Sequence, residues 1–154
     1  MEREIDAVMK VFDNLRRIFQ AINEYSKIAE HSTGLTGPQL WALKLVAEEP
    51  VMRVSGLAQK MYLRPPTVVG ILDRLEKKEL VVRTHSTKDR RVVEVSLTDQ
   101  GRSLVAAAPE VVQTVLMKGL KELTDEQFVC VDDGMQLMAK VLCADHLVPQ
   151  PLHS

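Results

Sequence analysis

Apolar positions recur along residues 3–31 in steps of three and four: Ile5, Val8, Phe12, Leu15, Phe19, Ile22 and Ala29, interrupted once at Ser26. This spacing predicts one long helix with a heptad-like seam, widened by Met9, Ile18 and Tyr25. Thr33 and Gly34 punctuate its end. A second helix is expected from Thr36 as N-cap, with Pro38 in the first turn, through Trp41, Leu45 and Val46 to Glu49 before Pro50. Val51–Val54 reads as a short extended piece. Ser55 then suits the N-cap of a short helix carrying Leu57, Ala58 and Met61.

Leu63-Arg64-Pro65-Pro66 predicts a turn, because proline is tolerated only in a first helical turn. From Pro66 to Lys78, Val68, Val69, Leu72 and Leu75 keep a helical period. Leu80–His85 and Val92–Leu97 are β-branched and alternating, with polar Ser86–Arg91 between them, the signature of a hairpin with a long charged tip. Thr98 starts another helix, expected to bend at Pro109. Thr124-Asp125-Glu126-Gln127 reads as a capping box for the last one, whose Phe128, Val131, Met135, Met138 and Leu142 again step by three and four. The two ends thus carry more apolar surface than one small middle covers, which predicts pairing with a partner's helices.

Charge changes the picture only when it is divided along the chain. The whole has a net charge of −1. Arg53 to Arg102 holds 11 Lys and Arg against 6 Asp and Glu, and the remainder 9 against 15. A basic middle between acidic ends suits a segment that meets phosphates. The 45% apolar and 27% charged fractions are those of an ordinary globular chain. Neither a membrane-length apolar run nor a secretory signal is read from the sequence, and a reduced, cytoplasmic protein is expected.

Helix, tight turn, helix and a hairpin with a basic tip form a tool for reading duplex DNA. A helix fits the major groove, and an arginine-bearing arm enters the narrower minor groove. Leu57-Ala58, then Leu72-Asp73-Arg74-Leu75-Glu76, Leu80-Val81-x-Arg83, Asp89-Arg90-Arg91 and Leu97-Thr98-x-x-Gly101-Arg102 follow one another in an order and spacing that resembles the MarR family over about half of the chain. The resemblance implies a mainly α fold with a small β-hairpin wing: a winged helix-turn-helix over 35–100, flanked by dimerisation helices at 1–34 and 101–147; the Pro-containing tail at 148–154 is itself expected to be flexible. The resemblance also implies a homodimeric transcriptional regulator, a repressor bound to palindromic double-stranded DNA.

By the same resemblance Asp89 and Arg91 are the wing-tip pair, the arginine entering the minor groove and the aspartate orienting it. Arg83 and Arg90 are expected near the DNA backbone, with Lys88 beside them at the tip. Thr67 and Arg74 lie on the recognition helix, and Arg64 stands at its start. Asp73 and Lys77, four residues apart, are expected to pair. This helix departs from the family pattern in Arg64-Pro65-Pro66, in Val69 and Gly70, and in Glu79 where glycine is usual, so its groove-facing surface is apolar. That departure also admits a second function, a winged-helix module that docks a protein.

Other chemistry is sparse. His31, His85, His146 and His153 form no helical metal pair, so no metal and no cofactor are expected. Cys130 and Cys143 read as buried small hydrophobes. With no phosphate loop, nucleophile elbow or paired carboxylates, an enzyme is not expected. The resemblance also implies a cleft for a small anionic aromatic ligand, for which Tyr25, His31, Trp41 and Arg53 are the candidates.

Overall fold

A computed structural model describes residues 2–152, with side chains from Glu4 onward. His153 lies outside the described residues. The chain runs α1 (Glu2–Thr33), α2 (Gly37–Val46), β1 (Met52–Arg53), α3 (Val54–Met61), α4 (Pro65–Lys77), β2 (Val81–His85), β3 (Val93–Leu97), α5 (Asp99–Ala107), α6 (Val112–Lys121) and α7 (Asp125–Val141). The fold is mainly helical with a small antiparallel sheet, as expected. The three strands lie in the order β1-β3-β2. β2 faces β3 from Val81↔Leu97 to His85↔Val93, and Met52 faces Val95. The extended piece after α2 is therefore a third strand, too short for alternation to announce.

The core is built by α2, α3, α4 and the sheet: Leu40, Trp41, Leu43, Val46, Leu57, Val68, Leu72, Leu75, Val81 and Val95 are buried. Local chemistry sets most boundaries. Thr36 and Thr124 each accept from a backbone N–H three residues on while Gln39 and Gln127 reach back, closing two capping boxes. Ser55, in contrast, is not a cap. Arg53 takes that position without a side-chain bond, and Ser55 falls inside the first turn of α3. Pairing of Met52 and Arg53 with β3 fixes how far the extended backbone runs and moves the helix start two residues upstream. At Pro109 the helix stops rather than bends. Ala108 is extended (φ −78°, ψ 145°), as the residue before a proline prefers, and α6 starts afresh at Val112.

α4 ends in a Schellman turn: Leu80 N–H donates to Leu75 O (3.0 Å) and Glu79 N–H to Glu76 O (2.9 Å). Glu79 sits at φ +58°, the left-handed position that favours glycine. The next contact explains the Thr98-x-x-Gly101 spacing. Thr98 N–H donates to Leu80 O (3.1 Å) and its hydroxyl to Glu79 O (2.7 Å). Gly101 N–H donates back to Thr98 Oγ1 (3.0 Å). A Cβ on Gly101 would stand 2.1 Å from Leu80 O, so only glycine fits there. The stem of the hairpin is thereby clamped to the end of α4.

The outer helices are different. α7 buries no residue, and Ile5, Val8, Phe12 and Phe19 on α1 are half or more exposed. Cys130 and Cys143 are exposed, not buried as expected, because none of the described residues packs over α7 closely enough to bury it. None of the described helices is long and apolar enough to cross a membrane. Residues of the tail lie back over the body, where Gln113 Nε2 donates to Leu152 O (3.1 Å).

Candidate DNA interface

α4 turns Val68, Ile71, Leu72 and Leu75 into the core. Its 3.6-residue period then leaves Pro65, Pro66, Val69, Gly70, Asp73, Arg74 and Lys77 outside. Arg64 occupies the N-cap with extended backbone (φ −70°, ψ 144°), set by the proline that follows, and makes no side-chain cap. Thr67 is half-buried and Arg74 exposed. Gln150 and Pro151 of the tail share a groove with Thr67, Gly70 and Arg74 on the α2 side of the helix. Val69 lies outside that groove.

The loop between β2 and β3 is tightly bonded. Ser86 N–H donates to Val92 O and Val92 N–H to Asp89 O, both at 2.9 Å. His85 donates from Nδ1–H to Arg90 O (2.8 Å), a choice forced because the carbonyl only accepts. Asp89 Oδ1 accepts from Arg91 N–H (3.0 Å) and Nε (3.1 Å), and Oδ2 from Nη2 (3.1 Å). This fork-on-fork pair leaves the Arg91 side chain 91% exposed. The Arg91 side chain, then its backbone N–H, hold the Asp89 carboxyl below its ordinary range, with Arg53 adding to the effect. Lys88 and Arg90 are exposed on the same tip.

Arg83 has another task. Its Nη2 donates to Asp73 Oδ1 and Glu76 Oε2, both at 2.6 Å, and its Nε to Glu76 Oε2 at 3.2 Å. Hydrogen bonding to Glu76 and then Asp73 raises the Arg83 pKa against partial burial, and Arg83 lowers that of Glu76. Expected near phosphates, Arg83 instead bolts the wing to α4. Asp73, expected to pair with Lys77, is turned to Arg83. The signal was present in two carboxylates three apart on one helix face, but nothing in the sequence said which strand residue would meet them.

The structure therefore brings Arg64, Thr67 and Arg74 onto one helix, and Lys88, Asp89, Arg90 and Arg91 onto the wing fixed beside it. Arg53, expected as a ligand contact, joins them on β1 opposite Glu94 of β3. The four ligand candidates are not brought together. Trp41 is core and lines a cavity with Met61, Tyr62, Leu63, Gln113 and Met117. Tyr25 is half-buried on α1, His31 is exposed at its end, Arg53 is exposed by the wing, and none of the three lines that cavity. Among the described residues no cluster of His, Cys, Asp and Glu could hold a metal ion.

Residues 35–93 match the MarR family. The HTH-type transcriptional repressor MdtR of Bacillus subtilis is 34% identical over 116 residues, 75% of each chain. The chain belongs to the MarR family. Its fold matches the crystal structure of a MepR-like protein complexed with pseudoligands, with a TM-score of 0.57, 30% identity and coverage of 89% of this chain and 92% of that one. It also matches, as a likeness of fold, the MepR–DNA complex of S. aureus (TM-score 0.58, 21% identity, 83% and 94% covered). This member is thus a winged helix-turn-helix DNA-binding transcriptional regulator, and the middle of its chain is the part by which the family is recognised.

Proposed function

We propose that the protein acts as a homodimeric repressor lying across a palindromic duplex operator. α4 of each protomer enters the major groove, and Arg91 of each wing enters the flanking minor groove. The observation that carries this reading is the Asp89–Arg91 pair. It holds an almost fully exposed guanidinium on a tip that is bonded within itself and clamped to α4 through Arg83. A minor-groove arginine is rewarded by the negative potential of a narrow groove. Arg64, Lys88 and Arg90 remain exposed to meet phosphates. The apolar faces of α1 and α7 supply a two-fold interface, and a symmetric dimer asks for a symmetric site. MdtR, a repressor by name, supports the direction of control.

A small anionic aromatic ligand is not included, because the described residues that line the cavity beside Trp41 include no Lys, Arg or His to neutralise an anion. The alternative of a protein-docking module is separated by salt. Purified protein on random duplex should lose affinity steeply as salt rises, since neutralised phosphates release counterions. Binding that is absent at low salt would favour the docking module.

A further inference from the structure

The first two turns of α4 show solvent a surface on which half-buried Thr67 is the one hydrogen-bonding side chain. Pro65, Pro66, Val69 and Gly70 are all exposed, and Val69 leaves 39% of its surface open. A Cβ built on Gly70 meets nothing within 4 Å, so the backbone there is open to close approach. The charged groups flank this stretch: Arg64 before it, Arg74 and Lys77 after it, with Asp73 held by Arg83. The tail shares a groove with the Pro66 and Gly70 edge of this surface and leaves Val69 clear.

In the major groove, guanine offers acceptors, cytosine a donor and adenine one of each. Thymine alone adds a methyl group, at C5. An apolar contact matches that methyl, whereas pressing Val69 against a polar edge strips its water and returns no bond. We propose that α4 reads thymine through its 5-methyl group, with Val69 as the specificity-determining contact and Gly70 as the opening that lets the base edge approach. The inference rests on the reading of α4 as the helix in the major groove.

The test uses the full chain and duplexes enriched from a randomised library. Each thymine is replaced singly by deoxyuridine, which lacks only the methyl. At one position in each half-site the replacement should weaken binding about fourfold, the factor that corresponds to ~0.8 kcal/mol for one buried methyl-sized group. Val69→Ala should bind the thymine duplex weaker by a similar factor and be indifferent to uridine at that position. Its circular dichroism should match the parent's, because Val69 is exposed and lies outside the core. Parent affinity unchanged by uridine at every position overturns the proposal, as does full uridine sensitivity in Val69→Ala. Failure to enrich any duplex at all overturns the DNA reading itself, and this inference with it.

Discussion

One residue sits where another amino acid would be the ordinary choice, and what it costs can be measured. Glu79 occupies the left-handed position of the turn that ends α4, where a side chain costs on the order of 1 kcal/mol relative to glycine. Glu79→Gly should raise the melting temperature by a few degrees and leave DNA affinity unchanged. An unchanged or lower melting temperature would mean that the glutamate side chain makes a stabilising contact. This position was legible in the sequence, because a departure from a glycine pattern is itself a signal. Arg83 was not legible in its true role. Basic residues in a basic segment look alike on paper, and only the register of β2 against α4 shows that this one faces two carboxylates.

At the scale of elements, the Arg83–Glu76 pair fastens the wing to α4, and its strength depends on pH. Hydrogen bonding to Arg83 lowers the Glu76 pKa below the ordinary value of about 4.3. A carboxylate depressed in the fold contributes stability that is fully present above its unfolded pKa, and that contribution is lost as pH falls through the folded value. Glu76→Gln should therefore lower stability at pH 7, and the gap to the parent should close in acid, below about pH 4. A gap of constant size down to pH 2 would contradict the ion pair. The long elements were readable from period and caps: Thr36 caps α2 and the box at Thr124 closes as expected, and the hairpin falls within a residue of its expected bounds. What escaped were features set by neighbours distant in the chain. The third strand exists because β3 pairs with it, and Ser55 lost its cap to that same pairing.

For the whole molecule, the outer helices present apolar stripes that this chain leaves open, with Phe19 at 58%, Leu137 at 61% and Val141 at 73% exposure. Contiguous apolar surface on that scale marks an interface. Deleting residues 1–22 should give aggregated or unfolded material in sedimentation and circular dichroism, whereas a soluble folded monomer would sink the dimer. The central claim, that the wing reads DNA through Arg91, has its own direct measurement. Fluorescence anisotropy on a selected operator and on random duplex, at two salt concentrations, should show Arg91→Ala weaker on the operator by roughly 1–3 kcal/mol, the range for a specific contact. A phosphate contact would instead weaken both duplexes alike and take about one unit from the salt slope. Asp89→Ala should cost less, because the aspartate only holds its neighbour in place. If Arg91→Ala binds the operator as tightly as the parent at both salts, the wing is not a DNA contact and this account of the protein is wrong.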